Sequence, residues 1–422
     1  MVSPGQRLRV GVDAATWAND RGFGRFTREL MKALISRDEG FEYTLVFDRP
    51  PQEAMPAGAK VLSAATRRDL NESHAGDSSR STMDLLRMAW VVRKANFDVF
   101  FFPAVYSYFP ILGRKPCVVC YHDCTAERLP QYLFPKPINH RLWQAKTALA
   151  LRQTTRALTV TETSAKDIES FFKVPRSRID VVTEAADAVF QVHPPAVGID
   201  ARAEFGVKDG EDLLVTLGGM NAHKNILGLL RAMPQVVAKR PQVRLVIVGD
   251  TSGRGFWDNV PELMAFVAAH PPLVKHVQFS GYLDDAAVVR LLNGAAALVF
   301  PSLWEGFGLP AVEAMQCGVP VLASNRGSLP EVVGAAGLFF EPEDPADIAR
   351  TVLAFLEDPG LRAHLGEAAL ARAAGFSWER AAELAEASFR KAAKPQHGSL
   401  TVCQTADRNR RQIGHDVGDS GA

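Results

Sequence analysis

The sequence predicts an α/β protein built from two doubly wound parallel sheets that face a central cleft. Three observations lead to this prediction. Short apolar runs alternate with helical patterns, as they do where parallel strands are buried between helices on both faces. A proline-rich stretch, Val192–Gly198, interrupts the alternation near the middle of the chain. The alternation restarts at Leu213–Leu217, and a cleft between two such arrays is the usual ligand site.

Each predicted strand is a run rich in apolar residues, bounded by polar residues, glycine or proline. The predicted strands of the first array are Leu8–Val12, Tyr43–Phe47, Asp98–Phe102, Cys117–Tyr121, Ala157–Val160 and Ile179–Val182. Those of the second array are Leu213–Leu217, Val243–Val248, Val277–Phe279, Leu298–Phe300, Val319–Ala323 and Leu338–Phe340. The predicted helices include Phe26–Ile35, one capped near Thr163 or Ser164, Ile226–Val237, Asp284–Leu292 and Ala311–Gln316.

These elements divide the chain into five predicted parts. They are a Rossmann-like domain over 1–192, a linker over 193–205, a second Rossmann-like domain over 206–375, a last helix over 376–395 and a flexible tail over 396–422. The linker prediction rests on prolines that disfavour a continued strand or helix. The segment Arg67–Arg80 is polar and serine-rich, so we expect it to be poorly ordered as well.

Composition excludes several classes of protein. The chain carries 48 Lys and Arg against 47 Asp and Glu, a net charge of +1, whereas proteins that bind nucleic acid usually have a basic excess. With 47% hydrophobic residues the chain has ample material for cores. Five cysteines are too few for a disulfide scaffold and suit a reducing compartment. No signal peptide or membrane-spanning run is apparent, so we expect a cytoplasmic protein.

The most informative motif is the stretch 300–313, where a strand ends and a helix with Pro310 in its first turn begins. The glycines, among them Gly308, let a ligand approach closely, and the free amides of the helix start form an anion site. Glu305 and Glu313 flank that site and suit hydroxyl groups. A phosphate centre with hydroxyls on both sides indicates a nucleotide sugar. The alternative is an ordinary helix start with solvated acids.

Two further glycine motifs support a phosphate ligand. Gly218–Asn225 repeats the order of strand, glycines and helix start, and Lys224 would reach a diphosphate there; a plain surface lysine is the alternative. Arg21–Phe26 also follows a strand. It is not a dinucleotide-binding fingerprint, because it begins well after Val12 and Thr27 replaces the third glycine. We interpret it as a loop that faces a phosphate held by the other domain.

His122 comes at the carboxyl end of a predicted strand, where ligands of α/β sheets bind. It could contact a sugar, or it could be a buried histidine held by a carboxylate.

Cys117, Cys120 and Cys124 resemble the cysteine motif of an iron–sulfur cluster, but the first two would point to opposite faces of one strand. We interpret them as small buried residues, and no other spacing predicts a metal site.

The segment Ile138–Arg156 mixes basic residues with leucine and tryptophan. Such a basic amphipathic helix can dock on a membrane surface. A half-buried helix that packs on its own sheet is the reading we favour, since the alanines of the segment suit close packing. Docking at the inner face of the membrane stays open as the alternative.

Taken together, these motifs resemble the retaining glycosyltransferases of the GT-B fold, specifically glycosyltransferase family 4 (glycosyl transferases group 1). The resemblance extends from about Leu8 to Ala393. Its most specific motif is the pair of glutamates, Glu305 and Glu313, with seven residues between them. Lesser ones are Lys224-Asn225, the glycine motif of the first domain, Tyr121-His122-Asp123, Thr159–Ser164, Gly327–Val332 and Phe376–Glu379.

The resemblance implies an acceptor-side first domain, a second domain that binds the nucleotide sugar, and a last helix that crosses back to the first domain. It also implies roles for single residues. Glu313 would hold the ribose hydroxyls and Glu305 those of the donor sugar. Lys224 would stabilise the leaving diphosphate, and His122 would contact the sugar. The other implied donor-binding residues are Gly22, Gly24, Arg25, Gly219, His223, Tyr282, Leu283, Phe307, Gly308 and Leu309.

The sequence departs from the family pattern at Gly219, where many members carry an arginine. His223 or Arg25 would have to supply that positive charge.

The resemblance implies a retaining, metal-independent transfer of a hexose-type sugar from a UDP- or GDP-sugar to an acceptor hydroxyl, with an α-linkage. The acceptor would be a glycan, a lipid-linked molecule or a small molecule, in glycan biosynthesis. The alternatives are a nucleotide-sugar 2-epimerase of the same fold and a non-catalytic sugar-nucleotide-binding protein.

Overall fold

The computed structural model describes residues 7–19, 22–37, 39–52, 54–66, 81–134, 136–252 and 259–394. Three predicted features lie outside these residues: the polar segment Arg67–Arg80, the tail over 396–422, and Arg21 of the first glycine motif. Within the described residues the chain forms two parallel sheets with helices on both faces, so the predicted fold class is confirmed.

In the described part of the first half, seven strands form a parallel sheet in the order β3-β2-β1-β4-β5-β6-β7. The strands are β1 Leu8–Asp13, β2 Phe41–Phe47, β3 Lys60–Ser63, β4 Val99–Phe102, β5 Cys117–Cys120, β6 Thr154–Thr159 and β7 Ile179–Val181. The helices are α1 Gly22–Ser36, α2 Thr82–Lys94, α3 Thr125–Arg128, α4 Pro130–Leu133, α5 Pro137–Gln153 and α6 Glu162–Phe172, with 3₁₀ turns at Val105–Ser107 and Arg176–Arg178.

Six strands form the second sheet of the described chain, in the order β10-β9-β8-β11-β12-β13. They are β8 Asp212–Leu217, β9 Val243–Val248, β10 Val277–Gly281, β11 Ala297–Phe300, β12 Val321–Ser324 and β13 Gly337–Phe340. The helices are α7 Pro195–Glu204, α8 Ile226–Lys239, α9 Val260–Ala269, α10 Pro271–Val274, α11 Asp285–Asn293, α12 Leu309–Gln316, α13 Leu329–Val333, α14 Pro345–Glu357, α15 Pro359–Ala373 and α16 Trp378–Ala393, with 3₁₀ turns at Ala222–Lys224 and Gly334–Ala336.

The strands are apolar because both faces of each sheet are buried. All four residues of β4 are buried, as are all six of β8. One continuous core runs from the first sheet to the second and includes Phe26, Phe307 and Phe389. Separate cores lie beneath the helices on the other face of each sheet. Continuous apolar packing therefore joins the two halves of the chain.

The last helix, α16, lies against the first sheet rather than the second. The ring of its Phe389 packs 5.1 Å from that of Phe101 in β4. Ser388 and Lys391 both bind the carboxylate of Asp180 in β7, at 2.7 and 2.8 Å. The chain thus returns from the second half to the first. The exact domain boundaries stay predictions.

Several local predictions were wrong. The predicted linker contains helix α7, because Pro195 occupies the first turn, where its missing amide costs nothing. Gly198 of α7 packs on α11: a side chain there would lie 2.5 Å from the carbonyl oxygen of Asn293. The cap of α6 is Thr161, whose hydroxyl accepts from the Ser164 amide. Strand β3, short and largely exposed, was missed.

The first glycine motif also differs from its prediction. Gly22 and Gly24 form the first turn of α1 instead of a loop. A side chain at Gly24 would lie 1.8 Å from the carbonyl oxygen of Asn19, so glycine is needed there for the chain's own packing. Helix α5 packs on its own sheet, which is the interpretation we favoured over membrane docking. Only its Thr147 and Ala150 are buried. No described helix is long and apolar enough to cross a membrane.

Candidate active site

The carboxyl ends of the two sheets meet at the loop between β11 and α12. The carbonyl oxygen of Gly306 accepts hydrogen bonds from Thr161 Oγ1 at 2.8 Å and from Ser164 Oγ at 3.2 Å. Gly306 has no room for a side chain, which would lie 2.5 Å from the carbonyl oxygen of His122. The loop that carries Glu305 is therefore clamped directly against the first half of the chain.

Lys224 and Glu305 form an ion pair in this cleft, with Nζ 2.7 Å from Oε1. Lys224 ends a 3₁₀ turn, and Asn225 follows in the left-handed conformation. The Asn225 amide donates to the carbonyl oxygens of Pro301 and Pro342, at 3.1 and 2.7 Å, and so ties the turn to the glutamate loop. Burial would raise the pKa of Glu305, but the charge of Lys224 lowers it overall. The carboxylate is therefore ionised.

Glu313 lies on α12 and is paired with Arg25 of α1, which also binds Asp285. Helix α12 begins at Gly308, whose φ of +98° favours glycine. Burial raises the pKa of Glu313 to about 7, although the charge of Arg25 opposes this shift. Arg25 thus bridges the two halves of the chain at the predicted ribose site, and Glu313 is poised to change protonation near neutral pH.

His122 is buried on the first-domain side of the cleft. Its Nδ1 lies 3.2 Å from Glu184 Oε1, and its Nε2 lies 2.9 Å from the carbonyl oxygen of Pro103. Burial disfavours the charged ring, but Cys120 and Glu184 raise the pKa well above its usual value. Because both ring nitrogens face acceptors, His122 is held as an imidazolium. Of the two readings that the sequence left open, the structure shows the contact with a carboxylate, and the sugar contact stays a prediction.

The other side chains that the sequence predicted to bind the donor are His223, Phe307, Tyr282 and Leu283. His223 neighbours Lys224, and burial with that charge lowers its pKa to about 4, so its ring is neutral. The ring of Phe307 is buried and packs 5.5 Å from Phe376, so only its backbone can face the cleft. Tyr282 is 68% exposed and, with Leu283, follows β10 at the edge of the second sheet.

Gly219, Gly308 and Leu309 follow neighbouring strands of the second sheet. Gly219 follows β8 directly before the turn that carries Lys224, and a side chain there would lie 2.7 Å from Asn221 Oδ1. Leu309 is the first residue of α12, so its amide is one of the unpaired amides of the helix start. Lys224, Gly219 and the start of α12 thus follow β8 and β11, which are neighbours in the sheet.

Sequence reasoning missed several residues of the cleft. Glu184 follows β7, and the strand-end rule that identified His122 would have found it. Glu331 of α13 accepts from the amides of Glu162 and Thr163, both at 2.8 Å, and so caps α6 across the cleft. Arg128 stacks 4.0 Å above the ring of Trp304. These contacts join residues far apart in the chain, and only proximity in the fold reveals them.

A metal-ligating arrangement is not seen in the described ranges. Among these residues no group of three or more His, Cys, Asp and Glu side chains could hold a metal ion. The cationic groups around the two glutamates are instead the side chains of Lys224 and Arg25. The start of α12 adds unpaired amides and the positive end of a helix dipole. The site is thus suited to a small anion that carries hydroxyl groups.

Comparison with protein families agrees with this geometry. Residues 21–188 match the model described as Glycosyltransferase Family 4. Residues 199–372 match the model described as Glycosyl transferases group 1. The first match covers the first sheet except strand β1, and the second match covers the second sheet.

Two curated relatives are similar to this chain over most of their own length. The chain is 30% identical over 370 residues to the O-antigen chain mannosyltransferase B of Escherichia coli, covering 85% of this chain and 93% of that protein. It is 28% identical over 358 residues to the D-inositol 3-phosphate glycosyltransferase of Nocardia farcinica, covering 83% and 73%.

Solved structures of low sequence identity share the fold. Sucrose-phosphate synthase of Thermosynechococcus elongatus has a TM-score of 0.73 at 19% identity, covering 91% of this chain and 99% of that one. Anabaena Alr3699/HepE in complex with UDP and glucose has a TM-score of 0.70 at 18% identity, covering 91% and 100%. The chain belongs to glycosyltransferase family 4, with its group 1 domain, and is a glycosyltransferase of the GT-B fold.

Proposed function

We propose that the chain is a retaining glycosyltransferase that moves a hexose from a nucleotide-diphosphate sugar to an acceptor hydroxyl and forms an α-linkage. The observation that carries the proposal is the arrangement at α12: the half-buried Glu305 precedes the helix, the buried Glu313 lies within it, and a cation from a different element faces each of them. The diphosphate would lie between these groups, with Glu305 toward the sugar and Glu313 toward the ribose.

Lys224 and the amides of Gly308 and Leu309 would stabilise the leaving diphosphate. Of the two candidates for the cation missing at Gly219, the geometry favours Arg25, because His223 is neutral at pH 7 whereas an arginine keeps its charge. Arg25 would exchange Glu313 for the diphosphate when the donor binds. Two side-chain cations and a helix start would then balance the diphosphate charge without a metal ion.

Transfer develops positive charge at the anomeric carbon and negative charge on the departing phosphate, and catalysis requires stronger binding of those charges in the transition state. Glu184, a buried carboxylate of the first half, is engaged by His122, which argues against its use as a nucleophile. We therefore favour attack from the face that the diphosphate leaves, with the departing phosphate accepting the proton of the acceptor hydroxyl. That course retains the α configuration.

Mannose is the first donor sugar to test, because the Escherichia coli relative is described as a mannosyltransferase. GDP-mannose, UDP-glucose and UDP-N-acetylglucosamine should be compared by thermal shift. A donor at one hundred times its Kd should add about 2.7 kcal/mol of stability. The preferred donor is then incubated with glycan and lipid-linked acceptors. An α product, identified by NMR, supports the proposal, and a β product contradicts retention.

The same assay separates the alternative functions. Epimerised donor without an acceptor product would favour the 2-epimerase. Tight donor binding with neither transfer nor hydrolysis would favour a non-catalytic binding protein.

Substitution of Gly306 by alanine should disturb the contact between the loop that carries Glu305 and the first half of the chain. The new methyl group would lie 2.5 Å from the His122 carbonyl oxygen and 2.8 Å from Asp123 Cβ, so the glutamate loop must move. A shift of about 1 Å in a reacting group can cost on the order of 10²-fold in rate, and we expect a loss of that order in kcat/KM. Gly360→Ala is the matched control, since Gly360 is exposed and its methyl group would meet only the movable carboxylate of Asp358, at 3.3 Å. Unchanged kinetics in Gly306→Ala would show that this contact is dispensable.

Donor affinity should rise with pH through the titration of Glu313. Below its pKa of about 7 the carboxyl is protonated and accepts ribose hydroxyls poorly, whereas above it the carboxylate is a charge-assisted acceptor. If only the ionised form binds, the Kd should fall about tenfold between about pH 6 and pH 8. Calorimetry at each pH measures this. Glu313→Gln should bind weakly and without pH dependence; a flat profile in the wild type would contradict the assignment.

A further inference from the structure

Two aromatic side chains lie next to each other at the carboxyl edge of the first sheet. Phe23 belongs to the first turn of α1, which follows β1, and Tyr106 belongs to the 3₁₀ turn that follows β4. Strands β1 and β4 are neighbours in the sheet, so both rings lie at the edge where the ligands of such sheets bind. The ring planes are 14° apart and the ring centroids 6.2 Å apart, which is an offset arrangement. We call the two rings the aromatic platform.

The aromatic platform is partly exposed and is held in a fixed position. Phe23 is 37% exposed, and Tyr106 is half-buried. A single exposed apolar side chain is common on protein surfaces and does not indicate a ligand. Here two rings are paired, and the ring of His122 lies 5.0 Å from that of Phe23 and 4.6 Å from that of the buried Phe26. The platform is therefore supported from the core, as a surface that positions a ligand needs to be.

The aromatic platform lies beside the position that we propose for the donor sugar. His122 contacts Phe23 through its ring, and the carbonyl oxygen of His122 lies against Gly306, where a side chain would come within 2.5 Å of it. Glu305, the proposed ligand of the donor sugar, directly precedes Gly306. Because reacting atoms have to come within about 3–3.5 Å of each other, the acceptor has to bind close to the donor sugar. The platform is an exposed aromatic surface of the first half at this place.

Three basic side chains in this part of the cleft already have partners. Lys146 Nζ lies 5.3 Å from the centroid of the Tyr106 ring and donates a hydrogen bond to the carbonyl oxygen of the same residue. Arg128 is paired with Asp167. Arg25 is paired with carboxylates of the second half, and in the proposed function it would move to the diphosphate. These contacts favour a neutral group at the platform over a phosphate, because a phosphate would need a cation of its own.

A sugar ring has the chemistry that such a surface binds. The C–H groups on one face of a pyranose carry a small positive charge, and the face of an aromatic ring is negative, so the two stack. The hydroxyl groups at the rim of the sugar stay free to reach the reacting centre. We propose that Phe23 and Tyr106 bind a neutral hexopyranose ring of the acceptor by stacking. This assignment rests on the proposed function, because it takes the donor sugar to lie at Glu305.

Steady-state kinetics of the full chain with matched acceptors test the proposal. Neutral trisaccharides of mannose, glucose and N-acetylglucosamine are compared, at saturating donor, with the same sugars phosphorylated on the terminal residue. The best neutral acceptor should have a KM about tenfold lower than its phosphorylated form, because a phosphate would be buried without a partner. Phe23→Ala should raise the acceptor KM about tenfold with a smaller change in kcat, as expected when a contact made equally in the ground state and the transition state is lost. The donor KM should not change.

Further variants and a second measurement make the result specific. Phe23→Tyr and Tyr106→Phe keep both rings and should behave as the wild type does, whereas Tyr106→Ala should repeat the effect of Phe23→Ala. Trp90→Ala removes another aromatic side chain of the first half, 52% exposed on α2, and should leave the acceptor KM unchanged. A thermal shift with donor shows whether each variant is folded. Saturation-transfer NMR with the trisaccharide and a nucleoside diphosphate measures acceptor binding without turnover.

Three outcomes would overturn the proposal. Phe23→Ala and Tyr106→Ala could keep the wild-type acceptor KM and the wild-type NMR signal. The donor KM could rise in place of the acceptor KM, in which case the platform binds the donor. A phosphorylated acceptor could be preferred to its neutral form. If no donor is transferred, the proposed function fails by itself, and a sugar signal that Phe23→Ala abolishes would still support the platform.

Discussion

Replacement of Lys224 by methionine should lower kcat by about 10²–10³-fold, equivalent to roughly 3–4 kcal/mol of lost transition-state stabilisation. Methionine keeps most of the length of the side chain and removes its charge, so the departing diphosphate would lose a cation that we propose stabilises it. The expected loss is in kcat more than in KM, because the negative charge of the leaving group grows in the transition state. Steady-state kinetics with the preferred donor measure both constants.

The substitution also leaves Glu305 without its ion pair. An unsatisfied carboxylate in the cleft should reduce the free energy of unfolding by about 1–3 kcal/mol, which urea denaturation measures. Lys239→Met, at the exposed far end of α8, is the matched control and should change neither quantity. If Lys224→Met retains wild-type kcat, the diphosphate assignment is wrong.

Replacement of Glu305 by glutamine should lower kcat by on the order of 10²-fold. Glutamine fills the same space but loses the negative charge that, in the proposed function, holds the sugar hydroxyls and faces the positive charge developing at the anomeric carbon. Because the charge of Lys224 keeps Glu305 ionised, the effect should be similar from about pH 6 to pH 8. That profile would distinguish Glu305 from Glu313, whose titration falls inside this range.

A double-mutant cycle distinguishes the contribution of the Lys224–Glu305 pair to stability from its contribution to activity. Lys224→Met with Glu305→Gln should regain stability relative to Lys224→Met alone, because no unpaired charge is left. It should not regain activity, since both charges that we propose act in catalysis are gone. Glu357→Gln, an exposed glutamate of α14, serves as the control for the chemical change. A double variant with restored activity would mean that the pair is structural only.

The order of strands along the chain could be predicted from the sequence because a strand buried on both faces is a continuous run of apolar residues. Strands β8 and β9 are apolar over nearly their whole length, and their predicted positions were accurate to within one residue. Strand β3 is short and largely exposed, so it has no such signal. The linker prediction failed because proline disfavours a helix interior but suits its first turn, and sequence alone did not distinguish the two.

The sequence predicted which residues belong to the candidate site, but it did not predict which of them form ion pairs with each other. The sequence pointed to Glu305, Glu313 and Lys224, and the structure places Lys224 against Glu305. The bridge from Arg25 to Glu313 joins residues 288 positions apart, and no local pattern marks it. The burial of the Phe307 ring against Phe376 could not be predicted either, so a donor contact of Phe307 stays a prediction for its backbone alone.

The sequence by itself determined the fold class, the two arrays and the chemical types gathered near the cleft, because strand periodicity and helix starts are local properties. The tertiary structure decided which charges face each other and therefore which side chains are ionised. Lys224 lowers the pKa of Glu305, while burial raises that of Glu313 to about 7 despite Arg25. Two glutamates of one motif thus differ in protonation, because burial and charge depend on neighbours that only the fold brings together.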